Sequence, residues 1–286
     1  MRNKITPIDR IAKAGMAALS LLALCLFAVP AMGEEPRWPT KTVTTEGACA
    51  ISGMSAEQAQ LIAIQRARSL AIEEAAGIRV TSATLVRDGS LAVDFLRSYS
   101  RGFIVKEKQE WLPEEKQQDT DRTKPPIHVY RVRITADVKI PEKRVRPLGL
   151  TARLNKRIFR SGEKARIEVS AERDARIAVF NIMADDRVAM LFPNPLEAEN
   201  LLVPGKKLLF PSERSRVDIV MQTLPGHARD AEAFFVVAIE RAHERDFSKV
   251  FASGEPVLLP AFFEQYVAIA EFAEDMILPY IVERNE

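Results

Sequence analysis

The periodicity of apolar and polar side chains changes near Pro141–Pro147, and this divides the chain into two regions. In the first, residues 41–141, helical and strand periods alternate. Lys41 to Ile51 reads as a strand, broken by Gly53. Ala59, Ala63, Ala67, Leu70, Ala71 and Ala75 then recur at spacings of three and four, which predicts a helix with a stripe of small side chains that lies close on a sheet. Ser55 and Gln58 supply a capping box at its start, and Gly77 a left-handed stop at its end. Ile78 to Val86 is β-branched and strand-like. Gly89 to Tyr99 returns to the helical period through Leu91, Phe95 and Tyr99, and Gly102 to Leu112 is again a strand. Pro113 to Pro126 is charged and poor in apolar residues, as a long hairpin connection is. From Ile127 to Ile140 the alternation has no slip. Tyr130, Val132, Ile134, Ala136, Val138 and Ile140 share one face, and Arg131, Arg133, Thr135, Asp137 and Lys139 share the other. One face is therefore expected to be buried and one wet. The order β-α-β-α-β-β predicts a small α/β domain.

The second region, residues 148–258, is a succession of short strands. Leu148 to Phe159, Lys164 to Ala171, Ala175 to Met183, Val188 to Phe192, Leu208 to Phe210, Val217 to Met221 and Ala233 to Glu240 are separated by turn residues such as Arg160-Ser161-Gly162-Glu163 and Asp185-Asp186. That spacing predicts an antiparallel β-sandwich. Residues 259–286 carry Phe262, Phe263, Tyr266, Val267, Ile269, Ala270, Ala273 and Ile277 on one wide face and read as a C-terminal amphipathic helix. The expected class is α+β: the small α/β domain, then the sandwich, then the helix.

The first 33 residues follow a different logic. Arg2, Lys4, Arg10 and Lys13 precede an uninterrupted apolar run from Ala14 to Val29, followed by Pro30 and the small residues Ala31 and Gly33. This order reads as a secretory signal peptide cut after Gly33. The run falls short of the about 20 residues of a bilayer-spanning helix, so no stable membrane span is expected after cleavage; an uncleaved anchor is the alternative. Leu24 before Cys25 is not the small residue of a lipid-attachment box. Residues 34–40 form a polar, proline-containing linker.

The leader changes the charge balance. It carries four basic side chains and one acidic one, so the whole chain's net +2 becomes −1 for the remainder. No basic face then favours nucleic acid. Cys49 is the one cysteine outside the leader, which rules out an internal disulfide. It reads as a small buried strand residue, with an intermolecular disulfide as the alternative.

Candidate chemistry is sparse. His128, His227 and His243 lack the spacing of a metal pair, and no metal, cofactor or catalytic residue is expected. Asp185-Asp186 lacks the alternating ligands of a calcium loop and reads as a turn. Asp218 and Glu240 are strand carboxylates whose approach the order of residues does not decide. Arg153, Lys156, Arg157 and Arg160 read as a solvated strand face, or else a surface for an acidic partner. The candidate partner-binding loop is Phe192, Pro193, Asn194 and Pro195, in which prolines preorganise an exposed aromatic beside an amide. Its alternative is a strand end with Phe192 turned inward and a rigid turn after it.

Two resemblances follow from these residues. Glu46-Gly47-Ala48, the helix Ala63 to Gly77, Val80-Thr81-Ser82, Gly102-Phe103-Ile104 and Tyr130-Arg131-Val132 make residues 41–140 similar to the N-terminal domain of flagellar assembly protein T and to small envelope lipoproteins. Leu154-Asn155-Lys156 with Phe159, Ser161-Gly162-Glu163, Ile177 to Asn181, Leu191-Phe192-Pro193-Asn194 and Pro225-Gly226 make residues 148–255 resemble an uncharacterised bacterial domain often appended to kinases and caspase-like proteases. The resemblance implies a fold and an envelope setting, and brings no active site.

The expected function is that of an exported, periplasmic or secreted cell-envelope protein acting as a non-enzymatic protein-binding or assembly module with envelope proteins as partners. The alternatives are a sensory or regulatory domain pair that binds a small ligand and a hydrolase with dispersed carboxylates. N-terminal sequencing of the protein recovered from the cell envelope is expected to start at Glu34; a start at Met1 contradicts the cleavage.

Overall fold

Strand Thr40–Ala50 (β1) opens the fold and pairs antiparallel along its whole length with Ile127–Lys139 (β4), from Thr40 opposite Lys139 to Ala50 opposite Val129. The computed structural model describes residues 38–77, 98–99, 101–117, 126–140, 147–241, 247, 251 and 255–285. The expected leader, the strand over 78–86 and most of the helix over 89–99 lie outside them. Phe103–Trp111 (β2) pairs with the other side of β4, with a register shift between Ile104 and Lys106, and Glu115–Gln117 (β3) pairs with its start. The hairpin connection expected from Pro113 thus contributes a short strand of its own.

The helix predicted from the alanine stripe is Ala56–Ala75 (α1), with both halves of the Ser55–Gln58 capping box formed at 3.2 Å and Gly77 at φ +76. Ala59, Ala63, Ala67, Ala71 and Ala75 are buried. The small side chains let the helix approach until a Cβ built on Gly47 of β1 meets the Ala63 carbonyl oxygen at 2.0 Å and the Ala67 nitrogen at 2.6 Å. No side chain fits there, so glycine at 47 is a condition of that approach. Thr45 secures the contact by donating to the Ala67 carbonyl at 2.7 Å.

The second region builds from Thr151–Leu154 (β5), Ile158–Arg160 (β6), Lys164–Ala165 (β7), Ile167–Ser170 (β8), Ala175–Ile182 (β9), Arg187–Phe192 (β10), Leu201–Leu202 (β11), Leu208–Phe210 (β12), Ile219–Val220 (β13), Arg229–Glu240 (β14) and Val257–Leu258 (β15). These are followed by helix Leu259–Ala270 (α2) and strand Ala273–Glu283 (β16). The large sheet runs β15-β10-β9-β14-β16-β6, with β11 beside β9; a smaller one runs β12-β8-β5, and β13 pairs with β7. The class is sheet-rich α+β. Between the large and small sheets lie Phe159, Ile167, Val169, Ile177, Val179, Phe234, Val236 and Tyr280, the core of the sandwich.

Two expectations need correction. The C-terminal helix does not run through residues 259–286: it ends at Ala270, and residues 273–283 are a strand paired with β14 from Arg229 opposite Glu283 to Ile239 opposite Ala273. Pro279 explains why. Inside a helix it would remove a backbone hydrogen bond and clash with the preceding turn. In β16 the even-numbered positions bond β14, as the Arg284 N–H does to the Ala228 carbonyl, while Ile281 N–H turns the other way to Arg157. Pro279 shares the orientation of Ile281, beyond the end of β6, so the ladder to β14 loses no donor. β6 joins β16 in parallel, the one exception to the antiparallel pairing of that sheet. The linker also ends early: Trp38 is buried against Phe103 with ring centroids 6.5 Å apart, and β1 begins at Thr40.

α2 joins the two regions. Phe263 stacks on Tyr99 at 4.3 Å and on Phe103 at 4.9 Å, while Phe262 meets Phe180 at 4.9 Å and Tyr266 meets Phe235 edge-on at 5.1 Å. One continuous hydrophobic cluster therefore runs from the α1 alanines through α2 to the outer face of the large sheet. Replacement of Gly47 by alanine is expected to force α1 off β1 and to lower stability by about 1–3 kcal/mol or more, read as a lower urea midpoint.

Candidate functional site

Three of the buried polar clusters bring carboxylates together with a partner of different chemistry. The first centres on Arg68 of α1, which lies between Ile64 and Ile72 on a largely buried face. Its Nε and Nη2 donate to the two carboxylate oxygens of Glu107 on β2 at 2.8 and 2.7 Å, and its Nη1 donates to Asp186 at 2.5 Å. Asp186 sits in the turn between β9 and β10 with φ +68, a conformation that aspartate tolerates better than most side chains. The guanidinium thus ties the first region to the sandwich. Burial pushes the Glu107 carboxyl up, but the paired bonds from Arg68 outweigh it and leave Glu107 below the usual carboxylate range. Asp186 has one such bond; burial wins there and its carboxyl is raised. Burial raises the Tyr99 hydroxyl beside them well above its ordinary value.

The second cluster crosses the large sheet. Glu232 on β14 lies directly opposite Tyr280 on β16, whose hydroxyl oxygen is 2.6 Å from the Glu232 Oε2 and 2.7 Å from the Asn181 Oδ1 on β9. The Asn181 Nδ2 and the Ala184 backbone N–H also donate to Glu232, at 3.3 and 3.2 Å. Two residues earlier on the same face of β14, Asp230 is 3% exposed; it accepts the Leu224 N–H at 2.6 Å and faces the His227 Nδ1 at 2.6 Å. This His227–Asp230 pair is the third cluster. A carboxylate that orients an imidazole through Nδ1 is the arrangement of a positioned base.

The loop singled out from the sequence is built differently from its expectation. Phe192 is not an exposed aromatic: it is 3% exposed and packs on Phe210, ring centroids 5.0 Å apart, inside the sandwich. A register shift in β10 explains this: Val188 and Met190 are buried on the α2 side of the sheet, and the irregularity between Met190 and Phe192 brings Phe192 opposite Val179 on the sandwich side. The peptide before Pro193 is cis. Asn194 pins the turn, with its Nδ2 donating to Leu191 at 2.8 Å and its Oδ1 accepting from Leu196 and Glu197 at 2.9 Å each. Pro195 is exposed, and Leu196 after it is the exposed apolar side chain, at 66%.

The other singled-out residues are dispersed. Asp218 pairs with Lys164 at 2.6 Å on the surface, and Glu240 with Arg173 at the far end of β14, so these two carboxylates are engaged separately. Lys156 pairs with Glu163 at 2.6 Å, and that bond holds the Glu163 carboxyl below its usual range. His128 faces Glu114 at 2.5 Å and is half-exposed, and His243 lies outside the described residues. Cys49 is buried, and burial pushes its thiol up. Among the described residues no three of His, Cys, Asp and Glu converge as a metal set, and no helix is long and apolar enough to cross a membrane.

Residues 158–229 match the family model described as a domain of unknown function (DUF4384). That stretch of the second region is therefore similar to that uncharacterised domain. No curated protein matches the chain. The matched segment starts with β6 and stops at Arg229, the first residue of β14, so it leaves out the two strands, β14 and β16, that separate β6 from β9 in the sheet.

The buried acids and Arg68 were missed in the sequence reading, yet each left a trace: a cation inside an apolar helical stripe, and Asp230 and Glu232 continuing the inward alternation of Phe234, Val236 and Ala238. Replacing Arg68 with methionine strands Glu107 and Asp186 without their cation and is expected to cost about 3–5 kcal/mol. Equilibrium urea unfolding measures this, and a change under about 1 kcal/mol contradicts the assigned role.

Proposed function

We propose that the chain is an exported cell-envelope protein whose folded part acts as a non-enzymatic protein-binding or assembly module. The export reading rests on residues 1–33, where basic residues, a short apolar run and small residues before a cleavage point follow one another. The resemblance of residues 41–140 to the N-terminal domain of flagellar assembly protein T supports the same setting.

The observation that carries the binding reading is Leu196. An apolar side chain held out at 66% exposure gains nothing for the fold, yet the turn that presents it is fixed by three hydrogen bonds from Asn194. A side chain displayed on a preorganised turn loses little freedom when a partner covers it. Pro193, Asn194 and Pro195 thus serve as the support of the contact, with Leu196 as its tip. Trp111, 44% exposed and edge-on to Tyr130 at 6.3 Å, is a second such display on the first region.

A photocrosslinker at position 196 is expected to capture a defined envelope protein in cells, whereas one at the exposed Glu264 is not. Leu196→Asp is expected to weaken that capture at least tenfold and leave the melting temperature unchanged, because the site is on the surface. Equal capture from both positions, or capture indifferent to the substitution, refutes the assignment.

A further inference from the structure

The network around Glu232 contains more acceptors than donors unless the carboxyl carries a proton. Tyr280 has one hydroxyl hydrogen, but its oxygen approaches two acceptors, the Glu232 Oε2 at 2.6 Å and the Asn181 Oδ1 at 2.7 Å. If Glu232 were ionised, one of these contacts would set two oxygens against each other with no hydrogen between them. Turning the Asn181 amide over does not cure this. Its nitrogen would then serve Tyr280, but its oxygen would face the Glu232 Oε2 at 3.3 Å. A proton on Oε2 satisfies both arrangements. In the first, Glu232 donates to the Tyr280 oxygen and Tyr280 donates on to Asn181. In the second, Glu232 donates to Asn181 and receives from Tyr280. The Ala184 N–H remains on the other oxygen, Oε1, in either case.

The surroundings hold no cation for an ionised Glu232. Among the described residues it forms no ion pair with lysine or arginine. From β16 it faces Tyr280 and from β9 the neutral Asn181. On its own strand the nearest charge is Asp230, an acid engaged by His227 and the Leu224 N–H. In the turn after β9, Asp185 pairs with Arg187 at 3.6 Å and Asp186 with Arg68. Phe234 and Phe159 pack on the Tyr280 ring and keep the site apolar.

We propose that Glu232 retains its proton at neutral pH and acts as a proton-dependent tie across β9, β14 and β16, so that alkaline conditions loosen this end of the central sheet. Burial, the largest influence on this carboxyl, raises it, in agreement with the hydrogen-bond count. The folded protein then binds this proton more tightly than the unfolded chain. The stability from the tie is complete at low pH and is lost as pH rises through the raised value of Glu232.

The test uses the full chain with glutamate carboxyls labelled with carbon-13, which separates Glu232 from the other raised carboxyl, Asp186, in infrared difference spectra. The expected result is a labelled protonated-carboxyl band at neutral pH that disappears on alkaline titration, with a fall in the urea midpoint over the same range. Glu232→Gln, which keeps a donor for Tyr280, is expected to lack the band and hold its midpoint across that range. Absence of the band from the wild type at neutral pH overturns the proposal even if the variant does not fold, and so does a band that survives the substitution.

Discussion

β14 shares its backbone with β9 on one side and β16 on the other, and its side chains are covered on both faces. Phe234, Val236 and Ala238 point into the sandwich, whereas Phe235, Val237 and Ile239 point toward α2 and the first region. A strand in this position must be apolar at almost every residue, because neither alternation meets water. The run Ala233 to Ile239 satisfies that condition, and the sandwich core and the shared cluster are laid down on its two sides. Where the run gives way to Glu232 and Asp230, the sheet still buries the positions and must supply partners for them.

The union of the two regions has the same economy. α2 offers aromatic rings in both directions, Phe263 toward Phe103 and Tyr99 and Phe262 toward Phe180. Apolar contact of this kind is strong but does not by itself choose among neighbouring registers. The Arg68 fork has a fixed geometry, and its engagement of both Glu107 and Asp186 defines how α1, β2 and the β9–β10 turn meet. The net stabilisation by a buried ion set is modest because desolvation offsets much of its attraction, whereas removal of one member leaves the others buried and unpaired.

Much of this was legible in the residues. The alanine stripe, the Ser55–Gln58 box and the slip-free alternation from Ile127 produced α1 and β4 as expected, because local periodicity and burial agree there. β16 was not legible: its apolar residues suit either period, and only pairing with β14 and the position of Pro279 decide for the strand. β11 and β15, two residues each, have no signal of their own and exist through their neighbours. The site was harder still. Arg68, Glu107 and Asp186 are distant in sequence, and their convergence is a product of tertiary packing. Phe192 shows the opposite failure, where a proline-rich flank suggested display but a register shift after Met190 turned the ring into the sandwich core.

The parallel pairing of β6 with β16 joins residues more than a hundred positions apart, Ile158 with Ile281. A chain that emerges from its amino end has made β6 long before its neighbour exists. Until the final segment arrives, β6 has no seat in the sheet, and Phe159 lacks the Tyr280 ring that it meets edge-on at 5.9 Å. β16 therefore acts as a keystone: β6 takes its place in the sheet only once β16 is present, a contact of long sequence separation.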